Sequence, residues 1–312
     1  MTDFQSGTFQ DGTFQHGTFQ DGILQKGIFD KRFGEQVFLE YALARGMSDA
    51  DVREALAAVL ALGSDDIVIT LAFGPQLWAM LDGRFDFPAF SLEGQVPATQ
   101  GDLLVWIQTP DRSHGFDASL AVHRALGDRF STQLEVNGFV YHDMRDLTGF
   151  VDGIGNPQGD KAREAAVVGE GHPGAGGSFV LTQKWIHDLD AFEALPVPEQ
   201  ERVIGRTKVD AVEFSDEDMP ADAHVGRTDV ARDGVPQKIW RRSVPFGNTT
   251  EHGSYFVAFS CELDRFDYLL RRMYGMIEDG VRDRLTTFSS PVMSSWWYAP
   301  TTTFLKTLSS PE

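Results

Sequence analysis

From Glu35 onward, short β-branched apolar runs alternate with helix patterns that carry their own start and stop signals. That order constrains the fold more than any other feature of the chain. A strand opens at Glu35, and Ser48-Asp49-Ala50-Asp51 then supplies an N-cap with acidic residues in the first turn. Val52, Leu56, Val59 and Leu60 follow at helical spacing, and Gly63 ends the helix. Residues 67–73 read as a buried strand and 75–81 as a short helix with Pro75 at its start. A strand over 102–109, a helix over 119–126 and a strand over 133–141 complete a β-α-β-β-α-β succession. This is the order of a split βαβ, ferredoxin-like domain, although order alone leaves a doubly wound parallel sheet open.

After a glycine-rich loop at 149–159 the same kinds of element recur: strands over 178–188, 237–244 and 253–261, and helices over 198–204 and 264–274. A length of 312 residues suits two domains. The expected fold is therefore α+β, with two ferredoxin-like domains, each an antiparallel sheet with helices. The N-terminal one covers 23–145 and the C-terminal one 146–312. Residues 1–22 carry a five-residue repeat (Phe4-Gln5-Ser6-Gly7, Phe9-Gln10-Asp11-Gly12 and onward), too short to stack a solenoid core and read as an N-terminal arm.

Composition excludes several classes of function. A net charge of -19 repels phosphate backbones and anionic headgroups, so neither nucleic acid nor membrane is an expected partner. No apolar run approaches the roughly 18 residues that span a bilayer. The single cysteine, Cys261, rules out an internal disulfide and a multi-cysteine metal site. Without a basic stretch leading into an apolar segment, the N-terminus lacks a secretory or twin-arginine signal, and a soluble, cytoplasmic protein is expected.

Three local patches stand out: Gly149-Phe150-Val151-Asp152-Gly153-Ile154-Gly155-Asn156-Pro157, Ala223-His224-Val225-Gly226-Arg227, and Ile239-Trp240-Arg241-Arg242-Ser243. Taken singly, each has an ordinary explanation: a turn, a hydrogen-bonded histidine, a solvated strand face. Together they resemble the dye-decolourising peroxidases, whose GxxDG signature is matched by Gly149 to Gly153. Asn156-Pro157, His224-Val225 with Arg227, and Arg241 followed by Ser243-Val244-Pro245-Phe246-Gly247 resemble the remaining landmarks of the bacterial B-type branch.

The resemblance implies a haem peroxidase that uses hydrogen peroxide to form a ferryl intermediate and oxidises dyes, phenolics or other one-electron donors. It implies one non-covalent haem b per chain, mainly in the C-terminal domain, and the lack of a CxxCH motif agrees. The proximal iron ligand falls on His224, the distal acid on Asp152 and the distal arginine on Arg241. Gly153, Ile154, Gly155 and Ser243 fall beside the cofactor. By family position Asp283 orients the imidazole, against the reading of a surface carboxylate paired with Arg282 or Arg284. Arg206, with Arg227 as the weaker alternative, falls where a haem propionate is paired. Homo-oligomerisation is expected, while loading into an encapsulin shell is not.

These residue types suit the chemistry: imidazole as axial base, a carboxylate to move a proton between peroxide oxygens, a permanent cation to stabilise developing charge. Trp185, Tyr274, Trp296, Trp297 and Tyr298 are read first as core and second as exposed relays to bulky donors. The alternative function is a non-catalytic, deferrochelatase-like haem-handling protein using the same His224.

Overall fold

The computed structural model describes residues 23–309, so the repeat arm over 1–22 lies outside the described residues. The first half runs β1 (Glu35–Leu43), α1 (Asp49–Leu60), β2 (Val68–Phe73), α2 (Pro75–Leu81), β3 (Leu103–Thr109), α3 (Arg112–Leu126) and β4 (Phe130–Gly138). The start of α1 is fixed by a capping box, in which Ser48 accepts from the Asp51 N–H and the Asp51 carboxylate accepts from the Ser48 N–H. Helix α3 begins at Arg112 rather than at 119, because the Asp111 carboxylate accepts from the Ser113 and His114 N–H groups and caps it there.

The second half runs α4 (Asp160–Ala166), β5 (Ser178–His187), α5 (Leu189–Glu193), α6 (Val197–Ile204), α7 (His224–Thr228) and a small hairpin, β6 (Ala231–Arg232) with β7 (Val235–Pro236). It continues through β8 (Trp240–Arg241), β9 (Val244–Gly247), β10 (His252–Ser260), α8 (Leu263–Met273), β11 (Ser289–Ala299) and α9 (Thr302–Thr307). The strand expected over 237–244 is thus broken. Its pieces, β8 and β9, both pair with β10, at Ala258–Phe259 and at His252–Tyr255 respectively. Strand β11 is the last strand, beyond any strand expected from the sequence.

Instead of two separate sheets, the main strands form one antiparallel sheet of nine, ordered β5-β11-β2-β3-β1-β4-β9-β10-β8, and β5 also pairs with β10. That pairing closes the sheet into a barrel-like ring. The halves meet at two narrow seams, Tyr298 opposite Phe73 and Gly138 opposite Phe246. Closure satisfies backbone groups that two open sheets would leave exposed at their edges.

Because side chains alternate along each strand, closure produces two cores. The inner face gathers Phe38, Leu104, Trp106, Tyr255, Val257, Phe259 and Trp297 into one cluster. The outer face packs Leu39, Leu71, Val105 and Trp296 against Val52 and Leu56 of α1, Val122 of α3 and Phe266 and Leu270 of α8. Gln25 secures the chain entering the barrel: its side-chain amide donates to the Leu71 and Pro300 carbonyls and accepts from the Leu71 N–H. Among the described residues no helix is long and apolar enough to cross a membrane.

Candidate active site

A cavity on the outer face of the second half of the sheet holds about 1630 Å³ of space free of protein atoms, continuous with solvent. Leu181, Gln183 and Trp185 of β5 and Ser254 and Phe256 of β10 form one wall, while Phe266, Leu269, Leu270 and Met273 of α8 line it with apolar side chains. Into this space the fold brings Asp152, Gly153 and Gly155 from the glycine-rich loop, His224 from the start of α7, Arg241 from β8, and Arg206 and Ser243. A large, mostly apolar cleft with a few convergent polar groups is the usual form of a cofactor site.

His224 is held from behind. Its Nδ1 lies 2.7 Å from Asp283 Oδ2, and Asp283 is fully buried. The other Asp283 oxygen accepts from the Leu285 N–H at 2.9 Å, so the carboxylate is fixed before it fixes the ring. Nδ1 therefore carries the proton, leaving Nε2 with a free lone pair for a ligand. Asp283 is not the surface carboxylate that the alternative reading paired with Arg282 or Arg284.

Asp152 is held by its own loop. Its N–H donates to the Met144 carbonyl, and its Oδ1 accepts from the Gly153 N–H at 2.6 Å. Gly153 has φ +76°, a left-handed conformation that favours glycine. The carboxylate opens onto the cavity, yet surrounding protein replaces much of its water. Burial, reinforced by the nearby Asp146 charge, raises its pKa, while Arg241, the Gly153 N–H and His224 pull it down and do not fully compensate.

Strand alternation separates the two neighbouring arginines. Arg241 faces the cavity, whereas Arg242 points into the barrel, where it donates to the Gly27 and Ile28 carbonyls and to Gln108. The Arg241 Nε is buried without a hydrogen-bond partner among the described residues, a donor left open toward the site. Gly155 makes room for the guanidinium groups: a Cβ there would stand 3.1 Å from Arg241 Nη2 and 3.4 Å from Arg206 Nη2. Asn156 joins loop to strand, donating from Nδ2 to the Arg241 carbonyl at 2.9 Å and accepting on Oδ1 from the Arg241 N–H at 3.0 Å.

Arg206 reaches the cavity while pairing with Glu213 at 2.6 Å. Arg227 does not. It is 2% exposed, bound to Asp279 and to the Arg272 carbonyl, on the far side of α7. The helical turn between His224 and Arg227 sends the two side chains apart. Ile154 also turns away from the cavity lining and is 45% exposed. The five aromatics considered as exposed relays are all buried, Trp297 completely, because each lies in the core or in the cavity wall.

One cluster in the cavity went unread in the sequence. His187 bonds through Nε2 to Asp146 at 3.1 Å and through Nδ1 to Ser289 at 2.7 Å. Burial raises the Asp146 pKa, but the His187 bond and charge, with the Thr148 N–H and hydroxyl, outweigh it and hold the carboxyl at about 2. These residues come from three distant segments with no spacing to mark them; only the position of Asp146 just upstream of the glycine-rich loop was a signal.

Comparison with known proteins identifies the family. The family described as Dyp-type peroxidase, C-terminal, matches residues 143–304. A dye-decolorizing peroxidase of Mycobacterium tuberculosis is 36% identical over 270 residues, 84% of this chain and 78% of that protein. One from Rhodococcus erythropolis is 36% identical over 257 residues, 80% of this chain and 73% of its own length. Among solved structures, DyPB from Rhodococcus jostii RHA1 superposes with a TM-score of 0.84 at 31% identity, covering 92% of this chain and 98% of that one. A variant of that protein in complex with heme superposes with a TM-score of 0.85 at 31% identity, covering 91% and 98%. The chain belongs to the dye-decolorizing peroxidase family.

Proposed function

We propose that the cavity binds one haem b, that His224 Nε2 would hold its iron and that Asp152 and Arg241 would act on peroxide; the protein is a haem peroxidase. The observation that carries this reading is the convergence of an imidazole oriented by a buried carboxylate, an ionisable acid and an unpartnered guanidinium donor on one apolar cavity. When bound, the haem supplies the iron that takes up peroxide and the redox equivalents later drawn by one-electron donors such as dyes or phenolics.

The protein's own groups then have separate tasks. Asp152, when ionised, accepts a proton from the inner oxygen of hydrogen peroxide and returns it to the outer one, so that water can leave. Arg241 stabilises the negative oxygen and favours the ionised form of Asp152. Arg206 is the propionate partner in this reading, exchanging part of its contact with Glu213, and Arg227 is released from that role. Ser243, Gly153 and Gly155 line the cavity and would contact the haem. A haem-handling protein without turnover would need His224 and the cavity but gives Asp152 and Arg241 no task.

The same reading divides the ring into two ferredoxin-like halves, 23–145 and 146–312, the second carrying most of the haem contacts. The strand orders β2-β3-β1-β4 and β11-β5-β10-β9 support it, since each is one four-stranded antiparallel unit. It also includes homo-oligomerisation and a cytoplasmic setting, for which light scattering and cell fractionation are the direct tests.

The test of function is reconstitution. Haem added to the purified chain should give a Soret band that shifts rapidly with peroxide. His224→Ala should lose stable haem, and Arg241→Leu should keep it but react about 10²–10³-fold more slowly, the usual cost of one electrostatic donor. A parent rate retained in Arg241→Leu would remove Arg241 from the mechanism.

A further inference from the structure

Tyr255 lies on β10 between Ser254 and Phe256, which line the cavity, so alternation sends its phenol through the sheet into the barrel. There its hydroxyl donates to Glu40 Oε1 at 2.6 Å, and the Thr182 hydroxyl donates to the same oxygen at 3.0 Å. The Trp297 indole N–H donates to Thr182 Oγ1 at 2.8 Å, so two oxidisable rings connect to one carboxyl group. Glu40 is 2% exposed, and its Oε2 is buried with no hydrogen-bond partner among the described residues. Stability gives no reason for this arrangement. A carboxyl group buried without a cation costs several kcal/mol, and an apolar pair of similar volume would pack in its place.

We propose that Tyr255 and Glu40 form a proton-coupled redox site: Tyr255 passes an electron to the oxidised haem in the adjoining cavity while its hydroxyl proton moves to Glu40. This rests on the haem-peroxidase reading above. The phenol O–H bond breaks, Glu40 gains the proton, a neutral phenoxyl radical remains, and the haem centre is reduced by one electron. The peroxide reaction supplies the oxidant.

The interior favours this step for an electrostatic reason. With Glu40 ionised, the pair carries one buried negative charge before transfer and none after it, and a low-dielectric environment prefers the uncharged pair. Burial raises the Glu40 pKa despite its hydrogen bonds, making the carboxylate a stronger base than an exposed one. Burial, with the adjacent Glu40 charge, also holds the Tyr255 phenol well above its ordinary pKa, so the proton leaves only with the electron. Trp297 shares the same acceptor through Thr182. The site thus holds an oxidising equivalent inside the barrel when no donor is present in the cavity.

Freeze-quench electron paramagnetic resonance of the haem-loaded chain, mixed with equimolar peroxide, tests the proposal. The parent should show a tyrosyl signal that narrows when its tyrosines are ring-deuterated. Tyr255→Phe should lose that signal, and Glu40→Gln, which keeps the phenol, should reduce its yield several-fold, both with parental Soret bands and melting temperatures. A tyrosyl signal that persists in Tyr255→Phe, its absence in the parent, or an unchanged yield in Glu40→Gln overturns the assignment. The pair can also be read without haem. After one-electron photo-oxidation of the chain, infrared difference spectra should show a protonated carboxyl gained with the tyrosyl radical and missing in Glu40→Gln; a Tyr255 radical without that band overturns the pairing. A chain that takes up no haem fails the preceding reading instead, and the infrared result still decides the pair.

Discussion

Asp152 and Asp146 stand in the same cavity and are driven in opposite directions. Burial outweighs the favourable charges at Asp152 and raises it, whereas His187 and Thr148 overcome burial at Asp146 and hold it at about 2. Two carboxyl groups kept apart in this way are ready for different tasks. Asp146 stays ionised throughout the working range, and in the proposed reading Asp152 is the one that exchanges protons. Because a base acts in its ionised form, the rate of reaction with peroxide should be full above the raised Asp152 pKa. It should fall as pH drops through that value, which lies higher than the roughly 3.9 of an ordinary aspartate. Stopped-flow rates against pH should show this inflection in the parent and lack it in Asp152→Asn. His224, Asp152 and Arg241 were legible because each sits in a distinctive string. His187 and Ser289 were not, because 102 residues separate partners whose local sequences are ordinary strand.

At the scale of elements, the loop holding the acid and the strand holding the arginine are joined through one side chain. Both Asn156 hydrogen bonds go to the backbone of Arg241, supplying a pairing that the two-residue strand β8 would otherwise lack on that side. Asn156→Ala leaves a donor and an acceptor unpaired, each costing about 1–3 kcal/mol when buried. It should retain haem, lower the melting temperature and slow the peroxide reaction, as read by calorimetry and stopped-flow absorbance; an unchanged rate would detach Asn156 from the site. Helices and long strands were legible from periodicity and caps. The break between β8 and β9 was not, since apolar Trp240 and Val244 keep one strand's alternation on either side of the interruption at Arg242-Ser243. The five-residue α7 is likewise too short to impose a period, although its first residue is the proposed iron ligand.

For the whole molecule, the decisive feature is closure, and nothing local announces it. Both halves show a ferredoxin-like order in sequence, but that their outer strands meet depends on twist and on a few close contacts. At one seam Gly138 pairs with Phe246, and a Cβ at 138 would approach Val244 Cγ2 to 2.1 Å. Gly138→Val should therefore strain the seam by about 1–3 kcal/mol, the usual cost of overpacking, and lower the melting temperature. Hydrogen exchange should quicken at Phe246 and Gly138 before the centre of β1 or β3; uniform exchange would show that the seams are no weaker than the rest.

Closure also gives β10 a second reading. Residues 254 and 256 of this strand serve the cavity and residue 255 serves the barrel, so the strand is a partition whose two faces are written in alternate letters. Deleting one residue from its middle would transpose them, turning a phenol toward the cavity and a serine or phenylalanine toward the buried carboxyl. The chain can thus tolerate changes of length at the ends of this wall, while inside it every position is tied to a compartment.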